Sequence, residues 1–339
     1  MRVIFNVTHR CNLSCKHCYA AEFHGGGELS REEALGVLEE VARSLGRAKV
    51  IFSGGEPLLR EDLDELVGYA SRLGLRVAIA TNGLLMDVER ASRLMKLGVE
   101  EVSVSIESAS AEVHDELRGP GSFEAAVRAV KACVEVGLRV LVDPCISRLN
   151  VDEAYRLIEL AAELRVHGLR VFHYVPMGRG REALRDAMLS PEAYGRWLHE
   201  LWALQLKHPE LKVYTVQAPQ YTVLLARGAE EGSKVALELL EELSPGCRAA
   251  ISTVSIKHNG DVTPCPLWAV SLGNLREVGL REALRSPIAE RLRRREVGGR
   301  CSRCRHLELC GGCRVRAHAV FGDYFAEDPL CPEGIYEPR

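Results

Sequence analysis

Cys11-Asn12-Leu13-Ser14-Cys15-Lys16-His17-Cys18-Tyr19 follows directly on a short apolar run, Val3 to Val7. Three cysteinyl sulfurs can hold three irons of a cubane cluster and leave the fourth iron open, whereas a closed structural site takes four ligands. An open iron is a place for chemistry. Two plainer readings compete: a zinc site that borrows a distant fourth ligand, and a redox-active pair at Cys15 and Cys18. The second has no use for Cys11.

Outward from this stretch, residues 1–185 repeat one theme, a short β-branched run, a loop, then an amphipathic segment at helical spacing. Val3–Val7, Val50–Phe52, Arg76–Ala80, Val102–Ile106, Arg139–Val142 and Arg170–Val175 read as six strands. Ser30-Arg31-Glu32-Glu33 is a capping box that opens a helix to about Leu45, and Asn150 followed by Glu153 opens another to about Leu164. Gly74, Gly98, Gly137 and Gly168 each stand between a helix and a strand, where a C-cap glycine belongs. Strand-then-helix units imply a parallel sheet with right-handed crossovers, so the fold class is α/β. Residues 186–245 read as a helical bridge, opened by Ser190-Pro191 and interrupted by one candidate strand, Lys212–Val216.

The 339 residues are 47% hydrophobic, which suits one large or two medium globular domains. A net charge of −3 argues against nucleic acid or an anionic membrane surface as the main partner. No apolar run approaches a membrane span and no signal-peptide pattern opens the chain, so the expected location is the cytoplasm. Twelve cysteines in that reducing compartment are explained most economically by metal or cluster ligation. Gln is confined to Gln205, Gln217 and Gln220, a scarcity of thermolabile amides that hints at a thermophile.

Seven of the cysteines return late, as Cys247, Cys265, Cys301, Cys304, Cys310, Cys313 and Cys331. Asn259-Gly260 between short β-branched runs signals a hairpin that returns Cys265 toward Cys247. The dense CxxCx5CxxC run from Cys301 to Cys313, with Gly311 and Gly312 inside it, reads as a cluster nest, with tetrahedral zinc as the competitor. Cys133 reads as a small buried hydrophobe, and so does Cys145, with a cavity-facing position as the alternative for the latter.

The CxxxCxxC triad with its following aromatic resembles the signature of the radical S-adenosylmethionine (SAM) superfamily. That resemblance implies a curved six-stranded (β/α)6 partial TIM barrel, a [4Fe-4S] cluster whose unique iron chelates SAM, and reductive cleavage of SAM to a 5′-deoxyadenosyl radical. In such barrels the chemistry gathers at the carboxyl ends of the strands. Gly54-Gly55-Glu56 is similar to the family's GGE motif, whose backbone meets the SAM amino group. Thr81 and Asn82 end the third strand, and Ser105 and Glu107 occupy the place of a Ser-x-Asp pair that reaches the SAM ribose and carboxylate; Glu in place of Asp is a departure. Arg118 resembles the Arg of a His-Asp-x-x-Arg-Gly loop with a SAM or substrate role. By period-two alternation Ser103, Ser105 and Glu107 share the inward face if Val104 and Ile106 pack under the helices.

The tail resembles the SPASM extension, which carries two auxiliary clusters of the four-iron type. By that resemblance Cys301, Cys304, Cys310 and Cys331 hold one cluster and Cys247, Cys265 and Cys313 the other. Two residues separate Cys310 from Cys313 where three are typical, and an eighth Cys is absent. The resemblance divides the chain into a barrel (1–185), the bridge (186–245) and the SPASM unit (246–339). Cys310-Gly311-Gly312-Cys313-Arg314-Val315-Arg316-Ala317 with Glu327-Asp328-Pro329 is similar to the haem-pathway branch, in which hydrogen is taken from a propionate and carbon dioxide or acetate is lost. That implies a tetrapyrrole substrate, with Arg179 and Arg181 in the turn after the sixth strand suited to its carboxylates. A ferredoxin or flavodoxin would supply the electron. The alternatives are a maturase of ribosomal peptides and a non-catalytic iron–sulfur electron carrier.

Overall fold

A computed structural model describes residues 1–23, 25–242 and 245–332. Positions 243 and 244 of the expected bridge and the end of the expected C-terminal unit, 333–339, lie outside the described residues.

The strands are β1 (Arg2–Thr8), β2 (Lys49–Gly54), β3 (Arg76–Thr81), β4 (Val99–Val104), β5 (Arg139–Val142), β6 (Cys145–Ile146), β7 (Gly168–His173), β8 (Lys212–Val216), β9 (Thr253–Ile256), β10 (Asp261–Thr263) and β11 (Gly273–Asn274). From β1 to β5 each strand pairs in parallel with the next, and β7 pairs in parallel with both β5 and β6. This is the parallel sheet that the alternating pattern implied, and it takes the partial-barrel form that the resemblance implied. The candidate strand Lys212–Val216 is present as β8, but two pairings were not legible: β8 extends the sheet beyond β7, and β9 pairs in parallel with β1. The β9–β10 hairpin brings the cysteine-rich tail into one continuous sheet with the barrel.

Local chemistry explains several helix starts. Ser30 accepts from the Glu33 N–H while the Glu33 carboxylate accepts from the Ser30 N–H, which completes the capping box of helix Arg31–Leu45. Ser190 caps helix Pro191–Lys207. Two local readings need correction. Asn150 makes no cap; its amide donates to the carbonyls of Glu107 and Cys145 and so staples two strand-end loops together. Gly168 is no C-cap either, because Arg165 takes the left-handed turn and Gly168 already lies in β7. A Cβ at Gly168 would overlap the Lys212 carbonyl, so the glycine is what lets β8 pair there.

The strands divide their residues by face. Val3, Phe5, Val7, Val50, Phe52, Val77, Ile79, Val102 and Val104 are fully buried beneath the helices. The alternate residues Ile4, Ser53, Ala80, Arg170 and Phe172, with Ser105 and Cys145 at the strand ends, keep partial exposure. The barrel is therefore hollow toward the carboxyl ends of its strands. A second apolar cluster, with Val175, Met177, Ala249, Leu267 and Trp268, joins the end of β7 to the tail.

Gly168→Ala is expected to cost about 1–3 kcal/mol through overpacking. Gly36→Ala, in the middle of the first helix with open space around it, should instead stabilise by about 0.5–1 kcal/mol. Thermal midpoints of the two variants should move in opposite directions.

Candidate active site: a tethered cysteine loop and two thiol groups in the tail

The loop carrying Cys11, Cys15 and Cys18 is fastened by the backbone to the end of β2, to the helix after β4 and to the turn after β7. The N–H groups of Gly55 and Glu56 donate to the carbonyls of Thr8 and Arg10, each at 2.8 Å. Lys16 N–H donates to the Leu117 carbonyl at 2.8 Å, and Arg179 N–H to the Cys18 carbonyl at 3.1 Å. Glycine makes these approaches possible: a Cβ at Gly54, Gly55 or Gly178 would overlap the carbonyl of Thr8, Arg10 or Cys18. In this structure Gly54 and Gly55 bring strand β2 against the chain entering the thiol loop.

Glu56 is fully buried, and its carboxylate accepts from Thr81 Oγ1 and the N–H groups of Asn82 and Leu58. Burial pushes its pKa up against those three donors. Thr81 and Asn82 thus meet Glu56 first. The Asn82 amide also donates to Asn12 Oδ1 at 2.7 Å and reaches Cys11 Sγ at 3.9 Å.

Glu107 and Arg118 form a buried pair at 2.6 Å. His17 Nε2 lies 3.2 Å from the same Glu107 oxygen, and the other oxygen accepts the Cys145 N–H at 2.6 Å. Burial opposes ionisation of Glu107, but Arg118 and His17 overcome it and hold the carboxyl far below the usual range. Arg118 Nη1 in turn lies 3.9 Å from Cys15 Sγ. Ser105 retains partial exposure on the hollow face, and Val104 and Ile106 are fully buried as the alternation required. Cys145 also faces the hollow, in electrostatic range of Arg118, while Cys133 is buried in the core.

The tail thiols fall into two groups. Cys247, Cys265 and Cys313 perturb one another, and burial pushes the Cys265 thiol up to about 12. Cys301, Cys304, Cys310 and Cys331 form the second set by the same criterion. Between the groups lies a pair fully shielded from solvent, Arg316 and Asp328 at 2.7 Å. Asp328 accepts the Cys313 N–H at 2.6 Å, while its own N–H donates to Cys301 Sγ at 3.4 Å. Gln220 donates to the same carboxylate, which ties the bridge to both thiol groups.

The donor set fits iron–sulfur ligation. Thiols that burial makes costly to ionise become favourable thiolates only on metal. N–H donors such as Leu13 to Cys11 and Gly312 to Cys310 are of the kind that tune cluster potentials. Among the described residues, no three His, Cys, Asp or Glu side chains close on a point as they would around a single ion.

Residues 5–161 match the model of the radical SAM superfamily, and residues 247–314 match that of the SPASM iron-sulfur cluster-binding domain. An AdoMet-dependent heme synthase from Methanosarcina barkeri is 36% identical, covering 99% of this chain and 96% of its own length. This chain belongs to the radical SAM superfamily. As a radical SAM enzyme with a SPASM domain it binds a [4Fe-4S] cluster with SAM and auxiliary iron–sulfur clusters. An Fe-coproporphyrin III synthase from the same organism is 34% identical over 97% of this chain and 87% of its own. In fold, the radical SAM chain is similar to native anSMEcpe with bound AdoMet and Cp18Cys peptide, at a TM-score of 0.75 and 18% identity over 97% of this chain and 93% of that one. No helix among the described residues is long and apolar enough to cross a membrane.

Arg179 and Arg181 are exposed at the rim, and Arg181 is occupied at 2.6 Å by Glu22 of the thiol loop. Three residues of this site were given no role by the motifs. His17 lies inside the triad, and its pairing with Glu107 has no signal in the spacing; Arg316 and Asp328 stand in separate motifs whose contact the residue order does not show.

Burial pushes Asp328 up, but Arg316 outweighs it and holds the carboxyl at about 2. Because this folded pKa lies below the unfolded value of about 3.9, the stabilisation is complete above that pH and is lost as pH falls toward 2. Asp328→Asn should remove this acid-dependent step and strand the buried Arg316 at a cost of about 3–5 kcal/mol. Thermal unfolding between pH 2 and 7 checks both outcomes.

Proposed function

We propose that this enzyme abstracts hydrogen from a propionate-bearing tetrapyrrole in a haem-forming route, with loss of the side chain or of its carboxyl carbon. The observation that carries this reading is that the likeness to enzymes named for tetrapyrrole synthesis spans the whole chain, thiol loop and seven-thiol tail alike.

Cys11, Cys15 and Cys18 hold the SAM cluster. When bound, cluster and SAM would supply a 5′-deoxyadenosyl radical to take a hydrogen atom from the substrate, and where the carboxyl carbon leaves as carbon dioxide an auxiliary cluster would accept the electron left behind. The chain's own residues bind, orient and shield. Asn82 and Arg118 donate toward the sulfurs of Cys11 and Cys15. Glu107 fixes the direction of Arg118, so its contribution passes through the arginine, and Ser105 supplies a polar contact from the hollow face. The backbone of Gly54-Gly55-Glu56, set beside the loop by its own hydrogen bonds, offers the surface for the SAM amino group. The apolar shell of Val175, Met177 and Trp268 excludes water between the thiol loop and the tail. Cys301, Cys304, Cys310 and Cys331 hold one auxiliary cluster, and Cys247, Cys265 and Cys313 the other. A low-potential donor such as ferredoxin or flavodoxin supplies the electron in the cytoplasm.

Replacing Cys11, Cys15 and Cys18 with Ala should abolish 5′-deoxyadenosine formation and remove about four irons per chain. Chromatographic quantitation of deoxyadenosine beside an iron assay provides the check, and deoxyadenosine formed at the wild-type rate would reject the triad's role.

A further inference from the structure

The hollow of the barrel contains a cationic floor that neither the motifs nor the rim arginines account for. Arg170 projects from β7 on the hollow face; its neighbours Leu169 and Val171 are buried in the core on the other side. Its Nη2 donates to Ser103 Oγ at 2.7 Å and pairs with Asp143. Its Nη1 makes no hydrogen bond among the described residues, and the side chain keeps 17% exposure. Because the outward faces of these strands are sealed, that exposure opens into the barrel.

The surrounding charge is unbalanced. Arg2 and Arg248 both stand within electrostatic range of Arg170, and neither has an ion-pair partner among the described residues. The carboxylates that face this group are already engaged: Glu101 by Lys49 at 2.7 Å and Arg139 at 3.4 Å, Asp143 by Arg170, and Glu242 by Lys212 and Tyr214. Guanidinium groups held away from bulk water without counter-charges are costly, and an anionic ligand relieves that cost. The Tyr19 hydroxyl, on the residue after Cys18, lies within electrostatic range of Arg170, which places Arg170 near the chain leaving the thiol loop.

We propose that Arg170, supported by the charge of Arg248, anchors a carboxylate of the substrate inside the barrel, so that the acid side chain points down past the thiol loop instead of lying at the rim on Arg179 and Arg181. Asp143 and Ser103 fix one edge of the guanidinium and leave the other for the ligand. This rests on the reading of the substrate as a propionate-bearing tetrapyrrole, and it names which group of that substrate is gripped and by what.

The test is an anaerobic absorption titration of the reconstituted enzyme with iron coproporphyrin III and, separately, with its tetramethyl ester. Wild type should bind the acid about ten- to a hundredfold more tightly than the ester, the range expected for charge-assisted hydrogen bonds. Arg170→Gln should lose most of that preference, Arg170→Lys should restore part of it, and the loss at Arg170 should exceed that in Arg179→Gln. The comparison of acid with ester on unaltered enzyme stands even where a variant fails to fold. Equal binding of acid and ester by wild type, or a full acid preference retained in Arg170→Gln, overturns the anchor while leaving the substrate class in place. Absence of binding by either tetrapyrrole overturns the substrate class and the anchor together.

Discussion

The backbone tethering of residues 8–18 is the constraint on which the rest of the molecule depends. A loop with three thiols close in sequence and Leu13 as its one aliphatic side chain has little to fold around, and the hydrogen bonds made by its ends decide where those thiols stand. Thr8 and Arg10 are held by the end of β2, Lys16 by the helix after β4, and Cys18 by the turn after β7. These three holds come from far apart in sequence, so the loop takes its shape only once the barrel has closed around it. Glycines at positions 54, 55 and 178 are the condition for that closure.

The same barrel separates stability from chemistry by the two faces of its strands. Outward residues are apolar, sealed under helices, and supply the burial that holds the fold. The inward face carries the polar and charged residues beside apolar ones such as Ile4, Ala80 and Phe172, and a charged group there is expensive to bury unless it finds a partner. Many do: Glu107 with Arg118 and His17, Glu101 with Lys49 and Arg139, Asp143 with Arg170. These pairs fix direction more than they add stability, since a buried ion pair commonly does little better than an apolar replacement. In the tail, Arg316 and Asp328 do the corresponding work for two groups of thiols, with the carboxylate reaching Cys313 and its backbone reaching Cys301.

Much of this was readable from residue order because strand-end loops carry their chemistry locally. The thiol triad, the Gly54-Gly55-Glu56 turn and the tail cysteines announce themselves by spacing, and period-two alternation placed Ser103 and Ser105 inward. What failed to show was long-range. Gly168 looks like a helix stop from its neighbours alone, and only the approach of Lys212, forty-odd residues later, reveals its use. Asn150 sits where an N-cap sits, yet its amide serves Glu107 and Cys145. Arg170 has no local motif, only its place opposite Leu169 and Val171 in the strand's alternation, whereas Arg179 and Arg181 stand in a glycine-rich turn. The pairing of β9 with β1 has no local signature at all.

The central claim is that the loop of Cys11, Cys15 and Cys18 holds a cluster with one iron free to bind SAM. Mössbauer spectra of the whole protein, reconstituted with 57Fe under anaerobic conditions and recorded with and without SAM, address it directly. The account predicts that about one iron per chain changes its isomer shift when SAM is added while the auxiliary irons stay as they were. Spectra unaltered by SAM, or a loop filled by zinc in place of iron and sulfide, would contradict it.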